Sequence, residues 1–235
     1  MFAIIWIFLL EPPTISVMRV VELNDKTYLG VLYEAVRAVK SGGVIIFPTD
    51  TVYGIGGNAL DIKVVERIFR IKNRPKDKAM PVLVRDIAMA RKLAYIDLWT
   101  EDTLAKLWPG PVTAVLHKKD LLPEAISGGK ETIALRMPDQ RFLFDLMKQI
   151  EVPLIATSAN ISGESNQPKS LTRFLEALAD SKYRPDLVID AGELSHDEPS
   201  TILDLTNRKN PAILRKGVMT KAELEKLLVA SQSAS

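Results

Sequence analysis

The sequence has no cysteine and only two histidines among its 235 residues. The absence of cysteine excludes disulfides, thiolate zinc sites and a cysteine nucleophile. Two histidines argue against a histidine-rich metal centre, so we expect no metal held by the protein. An excess of one charge is also lacking, because 31 Lys and Arg against 29 Asp and Glu leave a net charge of +2. Overall charge therefore does not predict nucleic-acid binding, and basic residues matter only where they cluster.

Motifs of several common enzyme classes are missing as well. The sequence contains no P-loop, no HExxH, no GxSxG and no CxxC pattern. Residues 54–59, GIGGNA, satisfy the dinucleotide fingerprint, but a PTDTVY loop precedes them and no acidic residue ends a strand about 20 positions later. We therefore expect no dinucleotide site. His117 and His196 are predicted to be surface residues.

Long apolar runs are limited to residues 1–10, MFAIIWIFLL. This run lacks a basic flank and a cleavage pattern and is shorter than the roughly 20 residues of a membrane helix, which predicts neither a signal peptide nor a span. We expect a cytoplasmic protein with no membrane partner. We also expect translation to start at Met18, so that residues 1–17 are an extension from a misassigned start or an extra strand, and residues 18–235 form a single domain.

The stretch 43–58, GVIIFPTDTVYGIGGN, combines a short strand with polar and glycine residues. Its apolar residues 44–47 predict a buried strand that ends at Pro48. The following loop carries hydroxyl and carboxylate groups, on Thr49, Asp50, Thr51 and Tyr53. Three glycines then allow the backbone to approach a ligand closely. This arrangement favours a site for a small polar molecule at a strand end, and an ordinary polar turn is the alternative.

Apolar periodicity and turn residues predict helices and strands without regular alternation. Helices are predicted over residues 26–41, 61–72, 87–95, 101–107, 142–150, 171–179 and 221–229, with Asp25 and Asp61 as caps of the first two. Strands are predicted over residues 44–47, 81–84, 112–116, 133–136, 154–157, 187–189, 201–205 and 212–215. This mixture predicts an α/β or α+β fold with a large mixed sheet.

Basic residues concentrate in residues 67–78, RIFRIKNRPKDK, where six of twelve are Lys or Arg. Further cations and polar side chains lie at or beyond the ends of predicted elements: Lys72, Arg74, Arg136, Ser158, Asn160, Ser200, Thr201 and Arg215. A sheet that gathers them at one cleft would bind a polyanion such as a triphosphate. For each arginine taken singly, a solvated surface charge or an ion pair is the favoured interpretation, and spacing alone does not show that these residues converge.

Seven segments, in this order, closely resemble the YrdC family of threonylcarbamoyl-AMP synthases: FPTDTVYGIGG, IKNRPKDKAMPVLV, LWPGPVT, ETIALRMP, ATSANISG, STILDL and ILRKG. The resemblance extends over about residues 43–217. It implies an α/β fold, a twisted, open mixed sheet with flanking helices and a concave basic cavity. It also implies the conversion of L-threonine, bicarbonate and ATP into threonylcarbamoyl-AMP and pyrophosphate, a downstream tRNA threonylcarbamoyl transferase as partner, and no second domain after residue 217.

The family's Lys-x-Arg and Ser-x-Asn signature falls on Lys72, Arg74, Ser158 and Asn160. A related subfamily lacks the full signature, so its presence here favours the synthase. The resemblance implies catalytic roles at the phosphates, beside Mg²⁺, for Lys72 and Arg74. It implies ATP contacts by Arg74, Lys78, Thr132, Ser158, Asn160 and Arg215. It implies threonine contacts by Thr51, Tyr53, Arg136, Ser200 and Thr201.

The implied reaction needs no protein nucleophile. N-carboxy-threonine would attack the α-phosphate of ATP in line and expel pyrophosphate, while fixed cations screen the two anions. Two alternatives stay open at this stage. The first is a non-catalytic module of the same fold that binds double-stranded RNA or tRNA through phosphates, and the second is carbamoyl or acyl transfer to a protein partner.

Overall fold

A computed structural model describes residues 18–162, 171–179 and 181–229 of the chain. The extension or extra strand predicted at residues 1–17 lies outside these described residues. The described strands are β1 (Arg19–Glu22), β2 (Ile45–Phe47), β3 (Gly54–Gly56), β4 (Val82–Leu83), β5 (Val112–His117), β6 (Thr132–Arg136), β7 (Leu154–Ile155), β8 (Thr157–Ser158), β9 (Leu187–Asp190), β10 (Thr201–Asp204) and β11 (Ala212–Arg215). The described helices are α1 (Tyr28–Lys40), α2 (Ile62–Lys72), α3 (Ile87–Leu93), α4 (Leu98–Leu107), α5 (Glu124–Ser127), α6 (Arg141–Ile150), α7 (Thr172–Leu178) and α8 (Lys221–Val229).

The strands form two mixed sheets. The first sheet has the order β1-β9-β2-β3-β8, and the second has the order β11-β10-β5-β6-β4-β7. Each sheet contains both parallel and antiparallel pairs, such as β2 with β9 and β2 with β3 in the first sheet. The predicted mixed α/β fold is confirmed, but the prediction of one large sheet is wrong. The single predicted strand over residues 154–157 is in fact divided between the sheets, with β7 in the second sheet and β8 in the first.

Two apolar clusters hold the layers together. The larger one joins α2 to apolar residues of both sheets, among them Val112, Ala114 and Leu116, which alternate along β5. The smaller one joins α1 and α6 to the outer face of the first sheet, with Phe47 and Phe142 among its buried members. Burial of these apolar faces is the main force that fixes both sheets in place.

Helix caps explain where several helices begin. The Asp61 carboxylate accepts a hydrogen bond from the Lys63 backbone N–H at 2.9 Å, which confirms Asp61 as the cap of α2. The predicted Asp25 cap of α1 is wrong, because Thr27 occupies the cap position and makes no side-chain cap bond there. Helix α4 begins at Leu98 rather than at residue 101, because the Asp97 carboxylate caps it through the Thr100 N–H at 2.8 Å.

The glycine run after the polar loop forms strand β3, where no strand was predicted from the sequence. Glycine is required in this strand because a Cβ on Gly56 would lie 1.6 Å from the Ile155 carbonyl oxygen, and one on Gly54 would lie 2.7 Å from the Phe47 ring. These glycines therefore allow close packing of protein on protein. The predictions also missed β1 and the short helix α5.

None of the helices within the described ranges is both long enough and apolar enough to cross a bilayer.

Candidate active site

A cavity of about 270 Å³ lies between the two sheets, over one face of the second sheet. Alternation along the strands forms its floor, because Thr113 and Val115 of β5 and Ala134 and Arg136 of β6 face the cavity while their neighbours enter the core. The polar loop before β3, the start of β8 and the segment after α2 supply the walls. The remaining lining residues are Thr49, Thr51, Val52, Tyr53, Gly54, Arg74, Ala79, Pro81, Leu83, Lys130, Ala156, Thr157, Ser158, Pro199, Ser200, Ile202, Leu214 and Arg215.

The described lining of this cavity is strongly basic. It includes four cations, Arg74, Lys130, Arg136 and Arg215, and no acidic residue. Burial lowers the pKa of Arg74 and of Arg136 from the ordinary arginine value. Burial also lowers the pKa of Arg215, and the positive charges of Arg136 and Arg74 lower it further. The arginines thus act on one another through space, and a bound anion would relieve that repulsion.

Arg136 is the most enclosed of these cations, with its side chain 7% exposed. Its Nη2 donates to the Asp50 carboxylate at 2.6 Å, its Nη1 to the Thr51 hydroxyl at 3.1 Å, and its Nε to the Gly110 carbonyl at 3.0 Å. The turn after α4 brings Gly110 into position, because the Gly110 N–H bonds the Met137 carbonyl at 2.9 Å. Three of the five N–H groups of the guanidinium are thereby used, and its plane is fixed.

Hydroxyl groups of the polar loop form an ordered chain beside Arg136. The Thr49 hydroxyl donates to the Val52 carbonyl at 2.7 Å, so it can only accept from the Thr51 hydroxyl, which lies 3.0 Å away. The Thr51 oxygen accepts in turn from Arg136. The predicted polar loop is therefore a rigid wall of the cavity.

A second polar group lies across the cavity from this loop. The Ser200 and Thr113 hydroxyls are 2.7 Å apart, and Arg215 Nη2 donates to the Ser200 carbonyl at 2.8 Å. Gly217 allows this contact, because a Cβ there would lie 2.1 Å from the Pro199 carbonyl oxygen. Close packing of the chain after β11 thus keeps Arg215 at the cavity wall.

Of the Lys-x-Arg residues, Lys72 bonds the Ser-x-Asn segment directly, whereas Arg74 does not. Lys72 is 1% exposed, and its Nζ donates to the Ser158 and Asn160 carbonyls at 2.5 Å and to Asn160 Oδ1 at 3.1 Å. The Ser158 hydroxyl donates to the same Oδ1 at 2.6 Å. Arg74 instead lies in the cavity wall, where it donates to the Lys78 and Ala79 carbonyls at 3.1 and 2.6 Å. Lys72 therefore holds the loop after β8, while Arg74 faces the cavity.

The structure brings most of the predicted site residues to this cavity. Those in its lining are Thr51, Tyr53, Arg74, Arg136, Ser158, Ser200 and Arg215. Those outside its lining are Lys72, Lys78, Thr132, Asn160 and Thr201.

The residues outside the lining differ in what they do. The buried Thr201 hydroxyl donates to the Met219 carbonyl at 2.6 Å, away from the floor. Thr132 begins β6 two positions before Ala134, so it belongs to the cavity-facing row of that strand. Lys78 is exposed and contributes its backbone carbonyl to Arg74.

Tyr53 contributes to the wall, but its hydroxyl is used elsewhere. That hydroxyl donates to the Gly192 carbonyl at 2.7 Å and accepts from the Ala191 N–H at 2.9 Å. Burial, with a further contribution from the charge of Asp190, raises the pKa of Tyr53 to about 12. These bonds anchor the polar loop to the end of β9.

Three functional groups were not among the predicted site residues. Asp50 forms the ion pair with Arg136, Thr113 bonds Ser200, and Lys130 lines the cavity. Asp50 lies in the polar loop that the sequence placed at a binding site, so its position in that loop could have identified it. Lys130 follows the Gly128-Gly129 pair, and a glycine-rich turn is a weaker indication of a nearby binding site.

The basic segment 67–78 does not form one continuous charged face. Arg67 pairs with Asp186 at 3.0 Å, and Arg70 pairs with Glu66 at 3.6 Å and lies over the Tyr183 ring. Lys72 is buried and Arg74 enters the cavity. This dispersal removes the main sequence argument for an RNA-binding surface on this segment.

Within the described ranges, no group of three or more His, Cys, Asp or Glu side chains has the arrangement of a metal site. The polar side chains of the cavity lining are hydroxyls and cations only, which does not fit a Mg²⁺ ion bound directly by protein.

The chain is similar to a known family and to several proteins in it. The family model for Sua5, YciO and YrdC, described as telomere recombination, matches residues 37–217. The chain is 38% identical over 191 residues to the threonylcarbamoyl-AMP synthase of Pyrococcus abyssi. The aligned region covers 81% of this chain and 55% of that relative. It is 35% identical over 175 residues to the threonylcarbamoyl-AMP synthase of Pseudomonas fluorescens, with coverages of 73% and 91%. The chain thus spans little more than half of the first relative and nearly all of the second.

A solved structure shares the fold. The crystal structure of Pyrococcus abyssi Sua5 in complex with L-threonine matches with a TM-score of 0.80 and 35% sequence identity. The match covers 90% of this chain and 60% of that one.

Proposed function

This chain belongs to the Sua5/YciO/YrdC family, and we propose that it catalyses the synthesis for which its relatives are named, that of threonylcarbamoyl-AMP. In this proposal it is a nucleotidyltransferase that converts L-threonine, bicarbonate and ATP into threonylcarbamoyl-AMP and pyrophosphate. The observation that carries the proposal is the cavity, whose described lining has four cations, several hydroxyls and no carboxylate. Such a lining suits two anionic substrates that must approach each other.

Threonine binds at the Arg136 end of the cavity. The two N–H groups of Arg136 that are not used by Asp50, Thr51 and Gly110 bind the threonine carboxylate as a bidentate pair. The Thr51 and Ser200 hydroxyls lie in the lining on either side. The similarity to a relative crystallised with L-threonine supports this placement. Tyr53 and Thr201 act indirectly, because their hydroxyls bond other parts of the chain.

ATP binds along the walls that carry Arg74, Ser158 and Arg215, with Thr132 and Lys78 nearby. Arg74 contacts the phosphates and is the catalytic cation. Lys72 and Asn160 are positioning residues, because Lys72 Nζ fixes the loop that carries the Ser158 hydroxyl. Mg²⁺ accompanies ATP on its phosphates, since the lining has no carboxylate to hold it.

The chemistry follows from bringing these anions together. The threonine amine and bicarbonate form N-carboxy-threonine with loss of water, and its new carboxylate oxygen bonds the α-phosphorus while the bond from that phosphorus to the bridging oxygen of pyrophosphate breaks. Fixed arginines lower the barrier by screening the repulsion between the two reactants and by holding them in line. The product is a reactive mixed anhydride, so we propose that a tRNA threonylcarbamoyl transferase in the cytoplasm consumes it, and that tRNA is the final acceptor.

A pyrophosphate-release assay tests the proposed function. Release should require ATP, L-threonine and bicarbonate together, and omission of threonine should abolish it. Arg74→Ala should reduce the rate at least about 100-fold, which corresponds to roughly 2.7 kcal/mol of transition-state stabilisation. ATP consumption that does not depend on threonine would contradict the proposal. Pyrophosphate release by Arg74→Ala at the wild-type rate would also contradict it.

A further inference from the structure

Lys130 was not predicted as a site residue, yet its side chain lines the cavity. It is exposed and follows Gly128 and Gly129, whose φ angles are +61° and +77°. These left-handed glycines reverse the chain between α5 and β6, and Lys130 continues the row of Thr132, Ala134 and Arg136 beyond the start of the strand. The turn therefore places a flexible cation at the rim of the cavity.

The turn is packed against the segment that holds Arg74. A Cβ on Gly128 would lie 2.5 Å from the Asp77 carbonyl oxygen, and the Met80 N–H bonds the Ile126 carbonyl at 2.9 Å. The carbonyls of Lys78 and Ala79, between these two contacts, accept from Arg74. The segment that accepts from Arg74 thus also packs against the turn that carries Lys130.

Lys130 has no ion-pair partner among the described residues, whereas several arginines do. Arg67, Arg91 and Arg136 each pair with a carboxylate. The Gly129 N–H beside Lys130 likewise has no acceptor among the described residues, and a Cβ on Gly129 would meet nothing within 4 Å. A backbone N–H and a lysine on a glycine turn form a site for an anionic oxygen.

We propose that the Lys130 side chain, together with the Gly129 N–H, binds the β- and γ-phosphates of ATP and holds the departing pyrophosphate. This assignment rests on the proposed synthase function. The reasoning is that Arg136 and Arg215 are fixed by short bonds within the wall, whereas lysine is a compact charge on a flexible stem that can follow a leaving group as it moves. Arg74, on the adjoining segment, then contacts the α-phosphate, where the attack takes place.

Direct binding of pyrophosphate and of ATP, measured by calorimetry without threonine or bicarbonate, tests the assignment. Lys130→Gln should weaken both about tenfold, Lys130→Arg should restore most of the affinity, and L-threonine binding should not change. Lys148→Gln, an exposed lysine of α6 outside the cavity lining, is the matched control and should bind like the wild type. In turnover, Lys130→Gln should raise the ATP KM and weaken product inhibition by pyrophosphate.

The assignment is overturned if Lys130→Gln binds pyrophosphate and ATP as tightly as Lys148→Gln. It is also overturned if threonine binding falls equally, because a general disturbance of the cavity would then explain the loss. Failure of the synthase function is a separate result: wild-type protein without threonine-dependent pyrophosphate release contradicts that function, whatever the Lys130 variants bind.

Discussion

Lys72 Nζ and Asn160 Oδ1 lie 3.1 Å apart in a buried hydrogen bond that joins the end of α2 to the loop after β8. The same oxygen accepts from the Ser158 hydroxyl, which is a lining group of the cavity. The two signature motifs are therefore coupled within the protein, and the lysine acts on the cavity through the loop that it holds.

Lys72→Met should lower the free energy of unfolding by about 2–4 kcal/mol, because it leaves several acceptors of the loop without their donor. It should also raise the KM for ATP as Ser158 loses its fixed position. Denaturant unfolding and steady-state kinetics measure the two effects. Lys63→Met, on the exposed face of the same helix, is the control and should change neither.

Asp50→Asn should weaken threonine binding about tenfold or more and lower the free energy of unfolding by about 3 kcal/mol. The reason is that Arg136 would lose the carboxylate that compensates a nearly fully buried guanidinium. Threonine titration and denaturant unfolding give the two values. Asp120→Asn, at an exposed turn, serves as control, and an Asp50 variant that matched it would show that the pair does not orient Arg136.

Gly56→Ala should destabilise the protein by more than about 3 kcal/mol, because the added Cβ would lie 1.6 Å from the Ile155 carbonyl oxygen and force β3 away from β7. Gly30→Ala, in an exposed turn of α1 where a Cβ meets nothing within 4 Å, should instead stabilise it by about 0.5–1 kcal/mol. Thermal and denaturant unfolding of the two variants provide the comparison. Equal effects would disprove the packing role of Gly56.

The pKa of Tyr53 predicts a loss of stability at high pH. The unfolded tyrosine ionises near pH 10, whereas the folded one, with its pKa raised to about 12 by burial, keeps its proton. The buried, protonated Tyr53 hydroxyl thus makes its full contribution to the free energy of unfolding below pH 10, and this contribution declines as the pH rises toward 12. Tyr53→Phe should show a smaller fall in unfolding free energy between about pH 9.5 and pH 11.5 than the wild type, and an unchanged slope would assign the pH dependence to other groups.

Local patterns were sufficient to predict much of the fold. Asp61 as a cap and the apolar stripe after it predicted α2 correctly, and the last helix, α8, was predicted with its observed bounds. Strand β3 was missed because glycine favours turns in isolation, and its place in a sheet depends on neighbours that are distant in sequence, such as Ile155. The division of residues 154–157 between two sheets likewise depends on distant partners, because Leu154 pairs with Leu83 and Thr157 pairs with Ile55.

The sequence predicted which residues belong to the site better than it predicted how their side chains are arranged. Motif matching selected Arg74, Arg136 and Arg215, and the cavity contains all three. It did not predict that Lys72 is directed into the protein, because the direction of a side chain at a helix end is set by the loop that packs on it. Nor did it select Asp50, whose role follows from a contact with a residue 86 positions away.

The central claim is tested most directly by identifying the product. The protein is incubated with ATP, L-threonine and ¹³C-labelled bicarbonate, and the reaction is analysed by mass spectrometry. We expect an adenylate of threonine that carries one ¹³C atom, formed with one equivalent of pyrophosphate and absent when threonine is omitted. A folded preparation that forms no labelled adenylate, or that binds RNA tightly without consuming ATP, would contradict the claim.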